Sequence, residues 1–175
     1  VCGSTDERHG IVLAKSQEAK VMGVKTGEAI WQARQKCPHL ILVPHNYEAY
    51  LHHSRLAREI YYQYTNLVEP FGIDECWLDV TESTHLFGPG LAIAHDIRKR
   101  IKAELGITVS VGVSFNKIFA KLGRDLKKPD AVTKIPRDRF REIVWPLPVR
   151  DLRGIGSATE RKLGRLGIET LGELA

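Results

Sequence analysis

The sequence predicts an α+β fold: a ferredoxin-like domain short of its opening strand, with a small α/β unit before it and a helix-hairpin-helix after it. Three observations carry that reading. Between residues 47 and 113 the apolar periodicities run helix, strand, strand, helix, strand, which is the β-α-β-β-α-β order without its first member. The hairpin in that series carries adjacent acids, Asp74 and Glu75, beside a tight turn. Near the C-terminus, Gly154-Ile155-Gly156 separates apolar segments and reads as the turn of a helix-hairpin-helix.

Each element has a local reason. Residues 11–14 read as a short strand, and 18–22 and 28–36 as helices, the second ended by Pro38. Residues 40–43 read as another short strand. A longer helix covers 47–65, with Tyr50, Leu51, Leu56, Ile60 and Tyr64 spaced for an apolar face. The hairpin occupies 67–81. An amphipathic helix follows over 91–105, its inner side carrying Ile93, Ile97 and Ile101. Residues 108–113 alternate as a strand, 116–126 are helical, 131–135 extended and 137–144 helical. In a complete ferredoxin-like unit the first strand lies centrally, so without it strand 108–113 lacks an interior neighbour. The expectation is a chain whose first strand lay upstream of Val1 and which runs on beyond Ala175.

Composition narrows the function. With 175 residues and 43% hydrophobic content the chain can bury a real core. Lys and Arg number 26 against 21 Asp and Glu, which permits a polyanionic partner without demonstrating one. Cys2, Cys37 and Cys76 show no CxxC or Cys/His spacing, which fits a reducing cytosol. His52-His53 reads as helix surface. No apolar run approaches the ~20 residues of a membrane span, and residues 1–10 lack the apolar core of a signal peptide. A soluble, cytoplasmic protein is expected.

Four segments carry chemistry. Asp74 and Glu75 sit where apolar strands (Ile73, Cys76, Leu78, Val80) end, and paired carboxylates there suit Mg²⁺, which takes hard oxygen ligands and shares them with phosphates. Gly154 and Gly156 free the N–H groups at the start of the next helix, where Ser157 lies, for a phosphate oxygen. In the third segment, Ser114-Phe115-Asn116-Lys117-Ile118-Phe119-Ala120-Lys121 leads to Lys127-Lys128-Pro129-Asp130. A solvated helical face accounts for Lys121 and Arg124, whereas Lys128 is presented at an element end by Pro129 and suits a phosphate. The fourth, Ala14-Lys15-Ser16-Gln17-Glu18-Ala19-Lys20, offers a strand end, a helix start and basic side chains for an anion.

In this order and spacing the four segments resemble the Y-family translesion DNA polymerases, in particular the DinB or DNA polymerase IV branch. Phe71-Gly72-Ile73-Asp74-Glu75-Cys76-Trp77-Leu78-Asp79 is similar to the family's S-I-D-E-A-x-L-D, and residues 114–121 are similar to S-x-N-K-x-x-A-K. The resemblance implies fingers over 1–44, a ferredoxin-like palm over 45–136 and part of a helix-hairpin-helix thumb over 137–175. It implies that Asp74 bridges two Mg²⁺ ions and that Glu75 holds the ion activating the primer 3′-hydroxyl; Asp79 reads as a structural acid, since its side-chain parity and distance along the strand put it away from the turn. It places Lys128, with Gln17 and Lys20, at the triphosphate of an incoming deoxynucleotide. Gly154, Gly156 and Ser157 fall where the family holds a DNA backbone phosphate.

Departures accompany the match. Many members have Tyr and Arg where this chain has Gln17 and Lys20, so the bidentate Arg geometry is absent. Phe71-Gly72 replaces a small residue and Ser. The family's third carboxylate and its steric gate belong upstream of Val1, so residues 1–175 alone are expected to be inactive or nearly so, monomeric and weak in Mg²⁺ binding. The expected partners are primer-template DNA and deoxynucleoside triphosphates, with a sliding clamp left open through residues beyond the C-terminus. Two rivals stand beside this reading: a non-catalytic, sequence-independent DNA-binding module, and a nucleotide cyclase. The acid pair speaks against the first and the helix-hairpin-helix against the second.

Overall fold

The computed structural model describes residues 1–3 and 10–175, so the reading of residues 1–10 lies partly outside the described residues. The chain forms two compact units, Val1–Leu51 and His52–Ala175, with the division inside a helix.

In the N-terminal unit, β1 (Cys2–Gly3) pairs antiparallel with β2 (Val12–Ala14). Helix α1 (Gln17–Val21) starts at Ser16, whose hydroxyl accepts the Ala19 N–H at 3.3 Å. Helix α2 (Ile30–Lys36) begins later than the periodicity predicts, because Glu28 is engaged locally. Its carboxylate accepts the Lys25 N–H at 2.8 Å and pairs with Lys36. Among the described residues the strand predicted at 40–43 is represented by one parallel bridge between Val43 and Cys2. Val12, Ala19, Val24, Ile30, Ala33 and Leu40 form the core of this unit.

The division falls within helix α3 (Tyr47–Tyr62). In the C-terminal unit, β3 (Val68–Phe71) and β4 (Glu75–Leu78) make an antiparallel ribbon in which Phe71 faces Glu75 and Glu69 faces Trp77. Side chains alternate along a strand, so Glu69, Phe71, Glu75 and Trp77 share one face of the ribbon. The turn between them needs Gly72, at φ +74°. A short 3₁₀ turn (Thr81–Ser83) and α4 (Thr84–Phe87), neither foreseen in the sequence, lead into α5 (Gly90–Leu105).

A second ribbon joins β5 (Val111–Ser114) and β6 (Val132–Ile135) in parallel, with helix α6 (Lys117–Leu126) as the crossover. The strand predicted from 108 starts at Val111, the first residue whose N–H finds a partner, the Ala131 carbonyl at 2.8 Å. Asn116 caps α6 by accepting the Phe119 N–H at 2.8 Å. Among the described residues no strand pairs the β3–β4 ribbon with the β5–β6 ribbon.

Helix α7 (Phe140–Val144) is shorter than the predicted 137–144, because the residues after Pro136 form a turn closed by Arg139 N–H on the Pro136 carbonyl. A 3₁₀ turn (Val149–Asp151), α8 (Ser157–Gly164) and α9 (Leu171–Leu174) complete the chain. Thr170 and Glu173 close a capping box at the start of α9.

Two apolar clusters hold the unit. Ile60, Tyr64, Ile93, Ile97 and Ile101 pack α3 on α5, and Leu122, Ile135, Val144 and Leu171 join α6, β6, α7 and α9. Ile101 and Ile135 are fully buried, each stabilising by about 1.5–3 kcal/mol. Gly112 on β5 decides how near α6 can come: a Cβ there would stand 1.8 Å from the Ala120 carbonyl oxygen. Backbone therefore lies directly on backbone. Among the described residues no helix is long and apolar enough to cross a membrane.

Candidate functional site

The β3–β4 turn is fixed from behind by α3. The hydroxyl of buried Ser54 donates to the Ile73 carbonyl, and Arg58 Nη2 donates to Ser54 Oγ at 2.6 Å. Tyr61 packs with Leu78 against the apolar cluster behind the ribbon, and burial pushes its phenol up to about 12. The turn ahead of β4 thus presents Asp74 and Glu75 from a framed backbone.

The two acids meet different surroundings. Asp74 is exposed in the turn, and no hydrogen bond or ion pair engages its carboxylate among the described residues. Glu75 opens β4 on the face that meets α6. Its Oε1 lies 2.7 Å from Arg124 Nη1, and its Oε2 pairs with Lys121 Nζ. All three side chains are largely covered, at 19%, 23% and 19% exposure for Glu75, Arg124 and Lys121. The sequence reading of Lys121 and Arg124 as a solvated face is therefore corrected: they lie one turn apart and turn inward onto a carboxylate. What gave no warning was the partner, which lies 46 residues away from Lys121 in the chain.

The same α6 face continues in both directions. Lys117 pairs with Glu69, and its ammonium lies 5.5 Å from the Trp77 ring centroid. Lys121 lies 5.9 Å from the Phe71 ring centroid, and Arg153 stacks on that ring at 3.5 Å. Phe71, a departure by resemblance, is thus a platform for two cations. At the other end, Arg124 Nη2 reaches Asp125 Oδ1 at 3.3 Å, and Lys128 Nζ reaches the same oxygen at 2.6 Å. Desolvation raises the Asp125 pKa, but the Lys128 hydrogen bond and the charges of Arg124, Lys128 and Lys121 outweigh it and hold the carboxyl below the ordinary range.

Lys128 follows the end of α6 as the sequence predicts, and its ammonium is tied to Asp125. The segment after it is anchored on α5. Asp130, at φ +51°, receives Arg98 at 2.9 Å and Lys102 at 2.8 Å, and Arg98 also donates to the Asp130 carbonyl. The Lys128-Pro129 peptide is cis. Asp79 is a structural acid, as its position in the strand predicts: its Oδ1 accepts the Thr81 N–H at 3.0 Å and hydroxyl at 2.6 Å, which hold its carboxyl below the usual range.

In the C-terminal hairpin Gly154 takes φ +92°, Gly156 is the N-cap of α8 and Ser157 its first residue. A Cβ at either glycine would meet nothing within 4 Å, so the turn stands open. Gln17 and Lys20 belong to the N-terminal unit, both exposed on α1 and three residues apart.

Adjacent carboxylates, one of them unengaged, are donors of the kind Mg²⁺ takes, and to that extent the residues fit a divalent cation. No group of three or more His, Cys, Asp and Glu is placed to hold a metal among the described residues.

Residues 1–125 match the impB/mucB/samB family, and residues 137–168 match the IMS family HHH motif. The chain is 58% identical over its whole length to DNA polymerase IV of Acetivibrio thermocellus and 42% identical to DNA polymerase IV 1 of Bacillus subtilis. It spans 44% and 42% of those proteins, less than half their length. Among solved structures, DinB from Sulfolobus solfataricus matches 99% of the chain with a TM-score of 0.91 at 32% identity, the chain covering 51% of it. An insertion ternary complex of Dbh DNA polymerase matches 98% of the chain, and the chain 51% of it, with a TM-score of 0.90 at 33% identity.

Proposed function

The chain belongs to the impB/mucB/samB family of Y-family DNA polymerases, and from that premise we propose that the protein carrying it performs template-directed nucleotidyl transfer. The reaction adds a deoxynucleotide to a primer 3′-hydroxyl in the low-fidelity, translesion manner. The observation that carries the proposal is the acid pair at the β3–β4 turn, with Asp74 open to solvent and Glu75 beside it on a framed backbone.

Asp74 and Glu75 would hold Mg²⁺, two ions in the complete site. Bound there, the metal would lower the cost of charge on the attacking and leaving oxygens. Lys128 would meet the triphosphate, leaving Asp125 for a stronger anion, and Gln17 and Lys20 are each proposed to contact the nucleotide. The open turn Gly154–Gly156 and the N–H groups at Ser157 would receive a DNA backbone phosphate without reading the base. Fingers over 1–44, palm over 45–136 and partial thumb over 137–175 remain our division by function. We place the protein in the cytoplasm, with residues 1–175 alone monomeric and inactive or nearly so.

One observation favours the alternative of a non-catalytic DNA-binding module: Glu75 is occupied by Lys121 and Arg124. Single-nucleotide incorporation on primed DNA with Mg²⁺ separates the two. It compares the full-length protein, its Asp74→Ala form and residues 1–175. Incorporation by the full-length protein, lost on Asp74→Ala, is expected. Equal incorporation by the variant would remove Asp74 from the chemistry, and DNA binding with no incorporation by any form would favour the module.

A further inference from the structure

Both carboxylate oxygens of Glu75 are engaged. Arg124 takes Oε1 at 2.7 Å and Lys121 takes Oε2, and all three side chains are at least three-quarters covered. Charge-assisted pairs so shielded keep much of their strength. The pairing follows from packing. Gly112 lets α6 lie backbone to backbone on β5, and Asn116 fixes its first turn. Lys117, Lys121 and Arg124 then project on one side, and that side faces the ribbon surface bearing Glu69, Phe71, Glu75 and Trp77. Asp74, next in the chain, escapes because it sits in the turn ahead of β4.

We propose that Lys121 and Arg124 are the resident counter-ions of Glu75 in the metal-free protein, and that a divalent cation must displace at least Arg124 to bind. The proposal rests on reading Asp74 and Glu75 as metal ligands. It adds residues that this reading left on the solvated surface and makes them regulators of loading, because the clamp sets the cation concentration at which the site fills. A divalent ion at Glu75 would stand within several ångströms of two fixed positive charges. Removing one of them lowers the dissociation constant by about three- to tenfold, the effect of one positive charge about 6–10 Å from a divalent ion under water-like screening, because the guanidinium has already been displaced from the carboxylate. The released guanidinium keeps a partner, since Asp125 already lies 3.3 Å from Arg124 Nη2 and also holds Lys128 at 2.6 Å. Loading at Glu75 is thereby coupled to the carboxylate that holds Lys128.

Mn²⁺ alone, titrated into the full-length protein and followed by electron paramagnetic resonance, tests this without any turnover. Arg124→Gln is expected to bind Mn²⁺ about three- to tenfold more tightly than the unmodified protein, and Arg124→Lys to stay within about twofold. Asp74→Asn tests the underlying reading and is expected to weaken binding. If Asp74→Asn weakens binding while Arg124→Gln leaves it unchanged, the clamp is overturned and the metal reading stands. If Asp74→Asn and Glu75→Gln both leave binding unchanged, the metal reading itself falls. A second measurement needs no substitution. In protein labelled at Arg side chains, the Arg124 Nε resonance should move on Mg²⁺ addition with the midpoint of the Asp74 and Glu75 carboxyl resonances. Carboxyl resonances that move while Arg124 stays still would overturn the proposal.

Discussion

In the β5–β6 ribbon, Ile135 and Thr133 are buried, α6 lies on the β5 backbone at Gly112, and the parallel register is reinforced by Ser114 Oγ donating to the Ile135 carbonyl at 2.8 Å. The β3–β4 ribbon has no fully buried residue. Cations from α6 and Arg153, together with the Ser54–Ile73 hydrogen bond, hold it on its two sides. One ribbon is a packed platform and the other a polar arm carried by it. The acids sit on the arm. A hairpin that carries an exposed carboxylate in its turn and a paired one beside it has little room for apolar cover, and the platform supplies its rigidity at one remove.

Four experiments would break or sharpen that contrast. Gly112→Ala should be the most damaging, destabilising by about 3 kcal/mol or more because the new methyl meets backbone rather than a movable side chain. Gly72→Ala, in the arm, should cost about 1 kcal/mol through its positive φ alone. Equal losses in denaturant titration would abolish the distinction between platform and arm. Next comes alkali. Tyr61 ionises near 10 when unfolded and at about 12 when folded, so its contribution is whole below pH 10 and is lost as pH rises toward 12. The loss should reach about 2 kcal/mol and should vanish in Tyr61→Phe. A variant that declines as steeply as the parent would show that the apolar floor under the arm is wet.

Ser54→Ala should cost about 1–2 kcal/mol, since it strips the Ile73 carbonyl and Arg58 of a buried partner together. Hydrogen exchange at the turn should quicken more than exchange in β5. Glu69→Gln should change stability by less than about 0.5 kcal/mol, because both members of its pair with Lys117 are more than half exposed. A larger loss would mean that the arm depends on this outer pair as well.

Much of this architecture is legible in the residues. The α5 stripe, the hairpin and the glycine turn before α8 follow from periodicity and local backbone demands, whereas of the face predicted for α3 Ile60 and Tyr64 are buried but Tyr50 and Leu51 are exposed. Boundaries slip where a side chain finds local work that no period reveals, as Glu28 does with Lys25 and Lys36, or where a strand exists only as far as its partner, as at Val111. The acid pair is visible as a pair. Its division into an open and a clamped carboxylate is not, because that depends on which helix face lands on which ribbon face. The raw material was present, in basic residues at 117, 121 and 124 and in acids at 69 and 75 that share a ribbon face. Only the close seat at Gly112 brings the two sets together.

The layout of these charges also makes ionic strength a tool that acts on one part of the molecule. At about 1 M salt the screening length shrinks to about 3 Å, which reaches exposed Lys117 and Glu69 but hardly the covered Glu75 group. The apolar clusters do not depend on charge at all. Added salt should therefore slacken the outer end of the arm first and leave the acid-bearing end in place, so that the hairpin pivots about its own turn.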